Sequence, residues 1–164
     1  MTGMTHEVQS DTLASTWYRF DELGAHRLHD LLKLRVDVFV VEQQCAYPDI
    51  DGLDPKADHL LLETPGGQIA GCLRCFAPGA LGEVEVRLGR IIVAPAFRGL
   101  RLGDRLMQLA IERTQQAFPS ADIVLSAQAH LERFYAGHGF CPYGETYLED
   151  GIPHVHMRRD ASTT

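Results

Sequence analysis

Two arginines and two glycines fall within six residues at Arg98-Gly99-Leu100-Arg101-Leu102-Gly103. They follow a β-branched run, Ile91-Ile92-Val93, that stops at Pro95, and an amphipathic helix begins immediately after them. This is a strand, a tight turn and a helix start. A helix N-terminus leaves about four backbone N–H groups unpaired and carries roughly half a positive charge, so a turn of this kind is a seat for phosphate oxygens. Other chemistry-bearing groups are less specific. Cys72 and Cys75 form a CxxC, but inside an apparent strand from Gln68 to Phe76, where residues three apart face opposite sides. Redox motifs use a helix start instead, so these read as buried, inert thiols. Asp49, Asp51, Asp54 and Asp58 crowd a Pro- and Gly-containing loop. A calcium loop needs Gly at the sixth position and Glu at the twelfth; here Gly52 is fourth and no Glu follows, which leaves a solvated acidic loop or a substrate-side rim. His154 and His156 share a strand face, yet zinc requires at least one further ligand, so no metal is expected.

The elements that must position these groups belong to one domain. With 164 residues, 45% hydrophobic and 23% charged, the chain is long enough for a single core and carries no run approaching a membrane span. The net charge of -7 opposes attraction to nucleic acid or anionic membrane and suits a cationic small-molecule partner. No secretory signal opens the sequence, so a cytoplasmic location is expected, with the cysteines reduced. Residues 1–15 are polar and unpatterned and read as a flexible arm, leaving residues 16–160 as the domain.

Trp17 to Phe20 reads as a first strand. From Gly24, Leu28, Leu31, Leu32, Arg35, Val36 and Phe39 recur at helical spacing, although the β-branched residues from Val36 to Val41 weaken the C-terminal half. Leu60–Thr64 and Gln68–Phe76 across Pro65-Gly66-Gly67 form a hairpin, and Val84–Val93 is another strand. Leu102, Leu106, Leu109, Ala110, Arg113 and Ala117 build a helix that ends before Pro119. Asp122–Ala127 is a strand, Leu131 to His138 a short helix closed by Gly139, and Phe140–Tyr147 with Ile152–Arg159 a final antiparallel pair. The order predicts a mixed α/β (α+β) domain around one sheet.

The six-residue stretch resembles the pyrophosphate motif of the GCN5-related N-acetyltransferase (GNAT) superfamily, Arg or Gln, two residues, Gly, one residue, Gly or Ala. Arg101 stands where that motif has its first Gly. Ala127 to Tyr135 followed by Gly139-Phe140 is similar to the second cofactor segment, and Arg35–Gln43, Asp49–Gly52 and Tyr147–His154 resemble the ElaA-type subfamily. The resemblance implies a central mixed, mostly antiparallel sheet of six to seven strands, flanked by about four helices, whose fourth and fifth strands splay to admit acetyl-CoA. It implies pantetheine against Ile91, Ile92 and Val93, pyrophosphate on Arg98, Gly99, Leu100, Arg101, Leu102, Gly103 and Asp104, and further cofactor contacts from Gln128 and Tyr135. A non-Gly residue at 101 keeps its amide and can take helical φ/ψ in a first turn, while its Cβ limits how closely phosphate approaches.

The reaction so implied is direct attack of a neutral amine, from a small molecule or peptide, on the thioester through a tetrahedral intermediate. Tyr135 is placed as the acid for the leaving thiolate; otherwise it is a core tyrosine whose hydroxyl meets a strand carbonyl. Relatives of histone type carry a strand-four Glu where this chain has Arg87, and arginine cannot be a base. Glu83, Glu85, Glu42 and His154 are the alternatives, Glu85 and His154 being carried forward with Tyr135 as catalytic. Arg35, Glu42 and Arg87 are assigned to the acceptor, Arg87 as a carboxylate clamp. Strand parity puts Glu83, Glu85, Arg87, Ile91 and Val93 on one face unless a bulge near Gly89 turns it over. A non-catalytic acyl-CoA-binding module, or an acyltransferase with another donor such as acyl-homoserine lactone synthases use, are the alternative functions. Edge pairing or exchange of the final strand would support a homodimer.

Overall fold

Leu60, Leu61 and Leu62, and every residue from Ile69 to Phe76, are buried, so both segments are central strands covered on two faces. The computed structural model, which describes residues 9–163, builds the rest of the domain around them. In chain order it contains β1 (Ala14–Arg19), α1 (Gly24–Val36), β2 (Asp58–Glu63), β3 (Ile69–Phe76), β4 (Val86–Val93), α2 (Leu102–Ala117), β5 (Ile123–Gln128), α3 (Glu132–Ala136), β6 (Cys141–Glu149) and β7 (Ile152–Arg159). The sheet order is β1-β2-β3-β4-β5-β7-β6, antiparallel except between β4 and β5. Those two pair only through Val86 with Ile123 and Arg87 with Val124, and beyond that point they splay as expected.

One face of the sheet packs Leu60, Leu62, Leu73, Cys75, Val86 and Leu88 under α2 and Tyr135. The other packs Leu61, Ile69, Cys72 and Ile92 under Leu23, Leu31 and Val38 of the α1 region. Cys72 and Cys75 therefore belong to opposite cores, and burial pushes both thiols up to about 12. In α2 the buried stripe is Leu102, Leu106, Met107, Ala110, Ile111 and Thr114. Arg113 lies beside that stripe, its guanidinium over the Trp17 ring at 4.1 Å and bonded to Asp58 at 2.9 Å.

Three local features differ from the sequence-based expectations. Residues 1–8 of the expected arm lie outside the described residues, but Ser10–Thr12 forms a 3-10 turn and Ala14 and Ser15 already pair with β2. Arg105 fastens this segment by donating to the carbonyls of Ser10 and Leu13, each at 2.8 Å. The β-branched end of the first helix widens into a π-helical turn over Asp37–Glu42, where Val38, Val40 and Val41 would crowd an α-helical turn. The third feature is a bulge in β4. Cys72 faces Ile92 and Arg74 faces Gly89, so β4 carries one residue more than β3 between these pairs, and Arg90 takes a left-handed φ of 50°. Ile91 and Val93 consequently pack with the core of Val86 and Leu88. Arg87 does not share a face with Ile91 and Val93, because the bulge reverses strand parity between them.

Candidate functional site

A cleft of about 810 Å³ opens where β4 and β5 separate. It gathers Ile91, Ile92, Val93, Arg98, Gly103, Gln128 and Tyr135 from the cofactor side of the sequence reading, and Glu42, Arg87 and His154 from the acceptor side. At the α2 end of the cleft the backbone N–H groups of Gly99 to Asp104 donate to no acceptor among the described residues. The chain enters this row through Gly99 at φ 89°, then Arg101 at φ 57° and ψ 31° sets the first turn of α2. Successive unpaired amides at a helix start form a concavity for an anion. Arg101 is thus left-handed rather than helical, which corrects the expectation that it would join the first turn. At Gly103 a Cβ would lie 3.2 Å from Cζ of Phe134, so a larger residue there would have to push this partly buried ring aside by a few tenths of an ångström. Asp104 accepts from His138 Nε2 at 2.8 Å and so ties α2 to the end of α3. Leu100 packs against the core and Leu102 is buried, so both serve the cradle through their amides.

Two neighbouring residues at the end of the π-helical turn reach across the cleft. Arg98 donates to Glu42 Oε1 at 2.8 Å, and Gln128 Nε2 donates to Gln43 Oε1 at 3.1 Å. Glu42 therefore engages the half-exposed Arg98 guanidinium. Tyr135 is 6% exposed, and burial pushes its hydroxyl up to about 12. That hydroxyl hydrogen-bonds to no described residue, so it does not cap a strand carbonyl.

On the acceptor side, His154 is 9% exposed and its Nδ1 lies 2.7 Å from the Ile152 carbonyl. A carbonyl only accepts, so Nδ1 carries a proton and the lone pair of the neutral ring is on Nε2, which faces Glu149 Oε2 at 3.4 Å. The ring stacks on Tyr147, which also stacks on His156 at 4.5 Å. Gln128 pairs with His154 across β5 and β7, which sets this ring beside the cleft.

Three expected residues are placed otherwise. Glu85 does not line the cleft: Arg158 binds it at 3.1 Å, a contact made where β4 and β5 are still paired. Arg87 lines the cleft, but Nε and Nη2 grip both oxygens of Glu83 at 2.8 Å, and the Glu83 carboxyl is held below its ordinary range by that contact. In this structure the clamp expected of Arg87 for an acceptor carboxylate is therefore filled by Glu83. Arg35 is 1% exposed and is bonded to Asp49 at 3.0 Å and Asp54 at 2.7 Å. It is a core residue rather than an acceptor contact.

Of the two expectations for the acidic loop, the solvated one fails, since Asp49 and Asp54 are buried, while Asp51 does line the cleft. Arg74 donates to Asp51 and Asp54, and Arg90 pairs with Asp49 at 2.9 Å. Burial pushes the Asp51 carboxyl up, but Arg74 and the Leu53 N–H outweigh it and hold the group at about 2. Burial also raises the Tyr47 hydroxyl, which donates to Asp49. Among the described residues no three His, Cys, Asp or Glu side chains form a metal-binding group, and no helix is long and apolar enough to cross a membrane. The sequence reading had missed Gln43, Glu149 and Asp150 as cleft residues; the i, i+5 spacing of Glu149 and His154 across a two-residue turn, Asp150-Gly151, was the available signal.

Comparison with known proteins places this geometry. Residues 28–161 match the family model described as an acetyltransferase (GNAT) domain. A UPF0039 protein of Mycobacterium tuberculosis is 41% identical over 155 residues, covering 93% of this chain and 96% of its own. The crystal structure of an acyl-CoA N-acyltransferase from Pseudomonas aeruginosa is 40% identical with a TM-score of 0.84, covering 90% of this chain and 99% of its own. That of Escherichia coli ElaA is 38% identical with a TM-score of 0.83 and the same two coverages, 90% and 99%.

Proposed function

The chain belongs to the GNAT acetyltransferase family in its ElaA-type branch, and from that premise we propose that it transfers the acetyl group of acetyl-CoA to a primary amine of a small molecule or peptide. The observation that carries this reading is the row of unpaired amides from Gly99 to Asp104 leading into a cleft where the hydroxyl of the buried Tyr135 side chain has no partner among the described residues. The amides and the α2 dipole would hold pyrophosphate oxygens, with Arg98 adding charge once it leaves Glu42. Acetyl-CoA supplies the activated acyl group.

The residues divide the proton work. His154 accepts at Nε2 the proton an ammonium must lose before it can attack, while its Nδ1–H bond to Ile152 fixes the ring. Tyr135 donates a hydrogen bond to the departing sulfur. Complete transfer from a hydroxyl at about 12 to a thiolate of ordinary pKa near 8.5 is uphill by about 5 kcal/mol, so Tyr135 stabilises the developing charge and the proton follows late. The core side chains Ile91 and Val93 keep this end of the cleft apolar.

Calorimetric titration with acetyl-CoA, followed by thiol release against a panel of amines, tests the reading. Saturable binding and amine-dependent release are expected. Absence of binding overturns it, and binding without release for any amine makes the chain an acyl-CoA-binding module.

A further inference from the structure

The cleft is lined by four guanidinium groups and four carboxylates, and they are not matched evenly. Arg74 pairs with Asp51 and Asp54, Arg87 with Glu83, Arg90 with Asp49 and Asp51, and Arg98 with Glu42. Every cleft arginine is thus engaged by a carboxylate, Asp51 serving both Arg74 and Arg90. Among the cleft carboxylates, Asp51 is consumed in those pairs, and Glu42 is held by Arg98 until a phosphate takes that guanidinium. Glu149 and Asp150 pair with no Lys or Arg among the described residues, and the only ionisable partner of Glu149 is His154. These two carboxylates sit in the turn between β6 and β7, which Cys45 draws over the cleft by a Sγ to Asp150 carbonyl contact of 3.4 Å. The same cleft holds the nine-tenths buried imidazole of His154 and the 6% exposed Tyr135 side chain, whose hydroxyl has no partner among the described residues, so the acids adjoin groups that already point to a ligand.

We propose that Glu149 is a specificity-determining residue that receives the acceptor's ammonium and delivers it to His154 Nε2, and that the acceptor is an alkylammonium with no carboxylate beside its amine. This rests on the reading of the cleft as an N-acetyltransferase site and names its substrate class. An α-amino acid would bring its carboxylate against Glu149 and Asp150, with every cleft guanidinium already engaged. An ω-amine on an alkyl chain brings only the cation. It supplies the missing counter-charge, and Ile152, which pairs with Glu149 across the turn, lines the same cleft with apolar surface. Glu149 passes the ammonium proton to His154, which lies within 3.4 Å, and the neutral amine is left facing the acyl group.

The test compares butylamine with norvaline, which differs from it by one carboxylate beside its single amine, in calorimetric titrations of the CoA-saturated protein and in thiol-release assays. Butylamine is expected to bind at least about fivefold more tightly, and Glu149→Gln to remove that advantage, raising KM for butylamine by about fivefold. Retained CoA binding reports that the variant folds, and Asp150→Asn provides a second reading of the same charge. Lysine capped at its α-amine and carboxyl, in a third titration, separates a peptide side chain from a free amine as the source of the ammonium. Norvaline binding as tightly as butylamine, or a preference that survives both substitutions, overturns the proposal. Preference for butylamine without thiol release leaves the recognition standing and overturns the reaction; release that favours norvaline overturns the recognition and leaves the reaction.

Discussion

Replacing Arg101 by glycine is expected to stabilise this protein without loosening its grip on CoA. Arg101 sits at φ 57° and ψ 31°, a left-handed conformation that costs a residue with a Cβ about 1–2 kcal/mol. Glycine removes that cost but gives the unfolded chain more freedom, worth about 0.5–1 kcal/mol in the opposite direction. The side chain offers nothing to lose, since it is exposed and makes no hydrogen bond or ion pair with the described residues. The net gain is therefore about 0.5–1 kcal/mol, or a rise in Tm of about 1–4 °C for a domain of this size. Thermal unfolding measures it, with Arg101→Ala as the control that keeps the strain and should leave Tm nearly unchanged. Acetyl-CoA affinity by calorimetry should stay within about twofold, because the amide row is retained. A fall in Tm would refute the strain argument, and a large affinity loss would show that the guanidinium grips phosphate directly.

Arg98→Ala should weaken acetyl-CoA binding about tenfold, whereas Glu42→Gln, which frees Arg98 from its half-exposed partner, should tighten it by up to about fivefold, an effect that calorimetry at raised salt should diminish. Tyr135→Phe should lower kcat about a hundredfold with KM for acetyl-CoA unchanged, and the wild-type rate should show no alkaline fall from this group below about pH 10. Asp51 should mark the acid limit of stability. Its carboxyl is held at about 2 when folded against about 3.9 when unfolded, so between those values the unfolded chain binds more protons. Its contribution is complete above about pH 4 and drains as pH falls toward 2; denaturant titrations of wild type and Asp51→Asn across that window should converge at the acid end.

Hydrophobic periodicity was enough to place the strands and helices, because a half-buried strand and an amphipathic helix each repeat their pattern locally. The amide cradle was legible for the same reason: Pro95, Gly99 and Gly103 punctuate one short stretch. What stayed hidden depends on partners distant in sequence. Arg35 read as an acceptor contact because nothing in its own helix reveals that Asp49 and Asp54 meet it inside the core. The same carboxylates, viewed alone, looked like a wet loop. Glu85 looked free until Arg158 was brought beside it from the last strand. Arg87 and Glu83 are only four residues apart, but their pairing depends on the backbone turning into β4 between them. Arg101 illustrates a conformational limit, since residue type alone favours right-handed φ and only the geometry of the turn demands otherwise.

The extra residue at Arg90 gives β4 a counting rule. Strand segments on either side of it are anchored, by Gly89 opposite Arg74 and by Ile92 opposite Cys72, so the odd residue is accommodated between fixed posts. Deleting Arg90 would leave both anchored ends in place and restore plain alternation, with Ile91 and Val93 still facing one core and Ile92 the other, so what would be lost is the Arg90 contact with Asp49 and Asp51. A loss of one residue in β4 is therefore absorbed at this place by flattening the bulge, whereas a second added residue has no such outlet and would turn one side of the strand over. β4 is one residue longer than its pairing requires, and the surplus places a guanidinium over the acidic loop.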